Sequence, residues 1–229
     1  MDSHKRQMDT ELDALKKKLL GMAATAETMI DQVIKELLNR DEQFATSIPK
    51  EEEELNRLQI EIDEHALTLL ATRQPVANDL RLIIVASKIS SELERVGDLV
   101  INITENVHIL AQHPNLKPLI DIPRMADLAR KMLRESLDAF VKRDTELARQ
   151  VTLTDDEVDA LKDQVLRELL TYMMADPHCI ERALALILIA RHLERIADHA
   201  TNIAEDVIYL IRALDVRHPK TARKEAPAE

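Results

Sequence analysis

The segment at 193–207 reads LERIADHATNIAEDV, and the segment at 93–107 reads LERVGDLVINITENV. Eight of the fifteen positions are identical. They include a row of oxygen-bearing residues, Glu94, Asp98, Asn102 and Glu105 in one copy and Glu194, Asp198, Asn202 and Glu205 in the other. On a helix at about 100° per residue each row falls within an arc of about 80°. Leu93, Val96, Val100, Ile103 and Val107 form a second row nearly opposite. Each segment is therefore an amphipathic helix with its apolar side inward and its oxygens on the bundle surface. Carboxylates four residues apart repel by some tenths of a kcal/mol. A solvated face explains one such row, but not why every member recurs in a second copy.

Outward from these helices, a 3.6-residue apolar period marks six long segments, at about 9–39, 50–73, 77–112, 123–142, 154–175 and 178–213. In the first, Leu12, Leu15, Leu19, Met22, Ala26, Met29, Val33 and Leu37 keep heptad-like spacing. Short segments near 41–47 and 144–151 separate the first and second members of each set. Thr154 with Glu157 reads as a capping box, and Asp176 before Pro177 as an N-cap with proline at the first helical position. Arg40-Asp41 and Arg143-Asp144 end the first helix of each set, 103 residues apart. EEELN at 52–56 falls on DDEVD at 155–159 with the same offset, which becomes 100 after the turn before the third helix. The expected fold is all-α, two tandem antiparallel three-helix bundles. Their spans are 8–112 and 123–213, with a linker at 113–122 and a disordered tail at 214–229.

Composition agrees with a helical class. The 229 residues hold only two Gly, four aromatics and no Trp, whereas sheets favour aromatic and β-branched residues and need turn glycines. A net charge of −11 argues against a nucleic-acid partner, which needs a basic stripe. It points instead to cations or to basic protein surfaces. The single cysteine, Cys179, makes no internal disulfide and reads as a small buried residue. The charged N-terminus lacks a signal-peptide core, and the longest apolar run, ALALILIA at 183–190, is far short of the ~20 residues that span a bilayer. A soluble cytoplasmic protein without membrane insertion is expected.

Hairpin register brings more oxygens to the row. With the turn near Pro75, Asn56 lies level with Glu94, and Glu52 with Asp98. With the turn near Pro177, Asp159 lies level with about Arg195, and Asp155 with about His199. Acids in a first helical turn also favour the helix dipole, but that explains no register match. Clustered carboxylates become favourable around a cation, and all-oxygen ligands suit hard ions such as magnesium, manganese or iron.

The doubled motif L-E-R-[IV]-[GA]-D-x3-N-I-x-E, the acidic pair on each middle helix and the connection RQPVANDLR at 73–81 resemble the PhoU family of phosphate-transport accessory proteins. The resemblance covers about 8–213. It implies a cytoplasmic, homodimeric negative regulator that restrains high-affinity phosphate uptake. Its implied partners are the ATPase subunit of the phosphate ABC transporter and the phosphate-sensing histidine kinase. It further implies metal ions, as iron, manganese, magnesium or zinc, held in multinuclear clusters on the bundle surface. By position, Glu52, Asn56, Glu94 and Asp98 would form one site, and Asp155, Asp159, Glu194 and Asp198 the other. Asn102, Glu105, Asn202 and Glu205 are additional metal-face candidates. Asn56 departs from an all-carboxylate pattern and makes the first site less anionic.

Two alternatives stand beside this one. A ferritin-like di-metal carboxylate enzyme needs Glu-x-x-His on two helices. Glu105 with His108 supplies it once, while the repeat offers Glu205 and Ile208. A metal-free helical scaffold is the other. Ser90 and Ser91 lack a nucleophile elbow, and there is no phosphate-cradling glycine loop, so no catalytic residues are expected. Isolated histidines such as His65 and His192 are expected to be ordinary surface or core residues.

Overall fold

The computed structural model describes residues 2–40, 47–214 and 216. Six α-helices make up the described chain: α1 Asp2–Asn39, α2 Ser47–Arg73, α3 Ala77–Ala111, α4 Asp121–Lys142, α5 Thr145–Ala175 and α6 Ile180–Arg212. Among the described residues there is no strand, and no helix is long and apolar enough to cross a membrane. The segment 41–46 and the tail from 217 lie outside the described residues, as does the expectation of a disordered terminus.

The apolar rows read from the sequence are the core. Leu12, Leu15, Leu19, Met22, Ala26, Met29, Val33 and Leu37 of α1 are all buried, as are Leu93, Val96, Val100, Ile103 and Val107 of α3 and Cys179. The expected helix ends also recur. Arg40 and Arg143 both turn into the left-handed region, at φ 55° and 53°. The Asp176 carboxylate accepts from the backbone N–H of His178, with Pro177 starting a short 3-10 turn, Pro177–Cys179, before α6.

The second middle helix begins a full turn and more before its expected start at 154. Asp144 caps α5, accepting from the N–H groups of Glu146 and Leu147 at 2.9 and 3.1 Å. Ala148 and Val151 are buried on the same side of the helix as Val158, Leu161 and Val165. The short segment at 144–151 is therefore the first part of α5. Thr154 is interior, its hydroxyl donating to the Gln150 carbonyl at 3.0 Å, so the Thr154–Glu157 box caps nothing. α1 likewise begins before Asp9, α2 at Ser47 rather than 50, and α4 at Asp121, inside the expected linker. The linker itself is tied down: Lys117 is buried and pairs with Glu168 of α5 and with Asp121, and Arg40 donates to His113 O and Asn115 Oδ1.

The two bundles pack with α3 against α6 and α1 against α4, and their buried residues form one continuous cluster. Ion pairs show the symmetry. Arg130 reaches Asp31 at 3.0 Å and Arg134 reaches Glu27 at 2.6 Å. The repeat offset carries Asp31 onto Arg134 and Glu27 onto Arg130, so the two pairs exchange under a pseudo-twofold. The α3–α6 pairs Lys88–Asp206 and Glu92–His199 run antiparallel about the same axis. A twofold that swaps two antiparallel neighbours is perpendicular to the plane containing them, so equivalent residues of α3 and α6 face the same side of the molecule.

Gly97 makes room for Leu55 between α2 and α3: a Cβ there would stand 2.7 Å from Cδ1 at the end of that side chain. The equivalent positions in the other bundle are Ala197 and Val158, one carbon more on one helix and one fewer on the other, both buried. Gly97→Ala is expected to destabilise the chain, because overpacking costs about 1–3 kcal/mol against a helix-propensity gain of about 1 kcal/mol. Leu55→Val in the same chain should recover much of that loss. Urea unfolding of the four proteins should give a favourable coupling of about 1 kcal/mol. Additive effects would show that Leu55 does not need the room that Gly97 leaves.

Candidate metal centre

Two serines of α3 show the α2–α3 register. Ser87 donates to Asp63, and Gln59 donates to Ser91 at 3.4 Å, each pair one turn from the next. A further turn along brings Asn56 level with Glu94, and another brings Glu52 level with Asp98, as the hairpin geometry predicts. Glu52, Asp98 and Asn102 line one open groove with Pro49 and Ile101. Burial first, then the charges of Asp98 and Glu52, pushes the Glu94 carboxyl above its ordinary range, with Arg95 opposing. Asn56 donates to Glu52 Oε1 at 2.5 Å, while its own Oδ1 is buried without a hydrogen-bond partner.

In the second bundle the crowding is stronger. Burial pushes the Asp155 carboxyl up to about 6, and the charges of Asp198, Asp159, Glu194 and Asp156 add to the rise. Asp198 is raised for the same reasons, burial first and then Glu194 and Asp159. All four acids predicted from the sequence are thus within electrostatic reach of one another. Between them stands a residue the sequence did not single out. Lys162 Nζ lies 2.9 Å from Asp159 Oδ1 and 3.1 Å from Glu194 Oε1, and the Asp159 hydrogen bond is the main cause of its raised pKa.

The outer members of the rows behave differently. Asn102 donates back to the Asp98 carbonyl at 2.9 Å. Glu105 is exposed and acts on His192 of α6, and Glu205 is half-buried. Asn202 is drawn across the bundle boundary, donating to Glu92 Oε2 of α3 at 3.0 Å, where the buried His199 also sits, with Nδ1 at 2.7 Å. Burial works to raise Glu92, but these two hydrogen bonds together with the charges of His199 and Arg95 hold the carboxyl below its usual range. His199 also acts on both Glu94 and Asp198, so this seam joins the two acidic clusters. His108, the histidine of the ferritin-like alternative, lies 3.3 Å from the buried Glu36 of α1. His65 pairs with Glu11 at 3.1 Å.

These residues fit a hard cation in chemistry and in charge. Every donor is an oxygen, the acids are destabilised by one another, and Asn56 offers a buried acceptor that nothing occupies. Among the described residues, however, no three acidic, histidine or cysteine side chains converge as a ready chelate.

A helical protein of two tandem three-helix bundles, presenting paired acidic clusters on one face, is thereby defined. The chain belongs to the PhoU family: the PhoU domain matches residues 19–107 and again 122–207. It is 38% identical over 225 residues to the phosphate-specific transport system accessory protein PhoU homolog of Pseudomonas putida, covering 98% of this chain and 88% of that protein. The homolog of the same name from Aquifex aeolicus is 39% identical over 214 residues, 93% of this chain and 97% of its own. The crystal structure of PhoU from Pseudomonas aeruginosa superposes with a TM-score of 0.86 at 38% identity, over 90% of this chain and 99% of that one. The phosphate transport system regulatory protein PhoU from Streptococcus pneumoniae superposes with a TM-score of 0.85 at 27% identity, over 92% and 100%.

The raised Asp155 pKa has a defined sign in stability. The folded state binds this proton up to pH about 6 and the unfolded chain only to about 3.8. Its contribution is therefore most favourable below pH 4, falls as pH rises to 6, and is fully unfavourable above that. In chelator-treated protein, Asp155→Asn should melt about 2–4 °C above wild type at pH 7, as roughly 1 kcal/mol gives in a chain of this size, with the difference vanishing towards pH 4. Equal melting temperatures at pH 7 would show that the cluster imposes no strain.

Proposed function

We propose that this protein is a cytoplasmic, metal-binding regulator, without catalytic activity, that restrains high-affinity phosphate uptake. It represses the phosphate-starvation response by linking the phosphate ABC transporter, through its ATPase subunit, to the phosphate-sensing histidine kinase, and it works as a homodimer. The observation that carries this reading is the composition of one face. The acidic rows of α3 and α6 both lie there, and each continues along its helix into exposed apolar residues. These are Leu80 and Ile84 in α3, and Ile180, Leu184 and Leu188 in α6. At about 100° per residue they share the side of the helix that carries the acids. Met174, Leu170 and Leu166 of α5 are exposed beside the α6 row. Such rows are what protein partners cover, and the acids between them favour a basic partner surface or one reached through bridging metal. The relatives' names, which place them in phosphate-specific transport, support the same assignment.

Glu52, Asn56, Glu94 and Asp98 would hold metal in the first bundle, and Asp155, Asp159, Glu194 and Asp198 in the second. Bound iron, manganese, magnesium or zinc would supply positive charge that neutralises the crowded acids and offers open coordination positions to a partner. The protein's own contribution is placement: α2 and α5 bring their acids level with those of α3 and α6, and Gly97 makes room for Leu55 between α2 and α3.

Replacing Glu194 and Asp198 with Ala should lower bound metal, by elemental analysis of the purified protein, with helix content unchanged. Cells lacking the protein should express phosphate-starvation genes in abundant phosphate. Normal repression in a deletion strain with no second copy would overturn the regulatory assignment, and unchanged metal content in the double variant would overturn the site.

A further inference from the structure

The two acidic clusters occupy equivalent places in the repeat, yet they are built differently. The first consists of Glu52, Asn56, Gln59, Glu94 and Asp98, with three carboxylates and no cation. The second consists of Asp155, Asp159, Lys162, Glu194 and Asp198, with four carboxylates and one ammonium. Where the first has the neutral pair Asn56 and Gln59, the second has the ionic pair Asp159 and Lys162. With every acid ionised, both carry the same formal charge of three negatives, by different means.

The geometry shows what each means does. Gln59 turns away from its cluster and donates to Ser91 Oγ at 3.4 Å, so no positive group of α2 stands among the acids of the first site. The counterpart of Ser91 is Arg191, which has no acceptor to offer Lys162. Lys162 accordingly turns inward, bridging Asp159 of α5 and Glu194 of α6 at 2.9 and 3.1 Å. Its ammonium stands between the two helices, in contact with two of the four proposed ligands. A lysine has the reach to leave: it is partly exposed, and Asp163 lies 3.9 Å away on the outer side.

We propose that Lys162 is the resident counter-ion of the second acidic cluster, and that a divalent cation enters that cluster by displacing its ammonium from Asp159 and Glu194. The inference rests on the metal-binding reading above. Two charge-assisted hydrogen bonds must break for each entry, and a positive charge on a flexible stem remains close by. Lys162 therefore weakens the affinity of the second site and leaves the first untouched. The two sites then differ in how they fill: the first takes a cation into acids that no side chain of α2 bridges with a positive charge, the second by exchange of one cation for another.

The test is Mn²⁺ titration, by calorimetry and by the electron paramagnetic resonance of free Mn²⁺, of the full chain and its variants. Lys162→Gln should bind at least tenfold more tightly at the second site, which is identified by its loss in Glu194→Ala/Asp198→Ala, with the first site unchanged. Lys162→Arg, which keeps the charge, should bind no more tightly than wild type. Asp159→Asn/Lys162→Gln, which rebuilds the Asn56 and Gln59 arrangement, should lose the gain. Melting gives a readout free of metal affinity: in chelator, Lys162→Gln should melt below wild type, because four acids have lost their cation, and saturating Mn²⁺ should erase that deficit. If Lys162→Gln matches wild type in affinity and in melting while Glu194→Ala/Asp198→Ala still loses Mn²⁺, Lys162 is a bystander and the metal site survives. If wild type binds no Mn²⁺ that depends on Glu194 and Asp198, the metal-binding reading fails and takes this inference with it.

Discussion

The antiparallel packing of α3 against α6 is the constraint on which the rest of the molecule depends. Each bundle has the same internal order, so bringing the two third helices together generates a pseudo-twofold perpendicular to their plane. That axis leaves both acidic rows on one side, and places α1 and α4 together behind. Without it the rows would be two unrelated exposed faces. With it, Glu92 of α3 meets His199 and Asn202 of α6, and the clusters lie either side of a shared, half-buried seam. Small residues interrupt the apolar rows of these helices, Ala86, Ser90 and Gly97 in α3 and Ala190, Ala197 and Ala200 in α6, all of them buried, with Gly97 facing Leu55 of α2.

Symmetric packing also forces the copies apart chemically. At an axis between identical sequences, each residue would face its own kind, and acids on α1 would meet acids on α4. The chain resolves this by giving Glu27 and Asp31 to α1 and Arg130 and Arg134 to α4. Exposed pairs of this sort are worth little individually, about 0–1 kcal/mol, but like charges in the same places would oppose the packing. The complementary exchange of Leu55 with Gly97 for Val158 with Ala197 is the same principle in volume. Divergence has followed the contacts, while the outer-face acids of α3 and α6 are retained in both copies, and Asn56 of α2 stands where α5 has Asp159.

Local pattern carried most of the fold. Six helices, their two-fold repetition and the helix ends at Arg40 and Arg143 follow from 3.6-residue spacing, Pro75 and Pro177 and the sequence offset. So does the α2–α3 register, which the Gln59–Ser91 and Asp63–Ser87 pairs reproduce. The start of α5 was misplaced because Thr154 and Glu157 make a locally valid box, whereas the winning cap at Asp144 depends on Ala148 and Val151 finding a core to bury against. Lys162, Glu92 and His199 escaped for a different reason. Their partners lie 32 and 107 residues away, and charge alone does not distinguish a lysine turned inward from one in solvent. The sequence did hold one signal for Lys162, the paired replacement of Asn56 and Gln59 by Asp159 and Lys162 within an otherwise matching repeat.

The acidic face is a place where the fold works against itself. Burial and mutual repulsion raise Glu94, Asp155 and Asp198, so these carboxylates oppose folding at neutral pH rather than support it. The core beneath tolerates this because it does not depend on them: Leu55, Val158, Leu93 and Leu193 are fully buried on the opposite sides of the same helices. A surface strained in this way responds to cations more strongly than a relaxed one, since binding recovers the repulsion as well as making new contacts, and any ligand that prefers the folded state stabilises it by mass action. The strain is greatest where α5 and α6 meet and α3 joins them through His199.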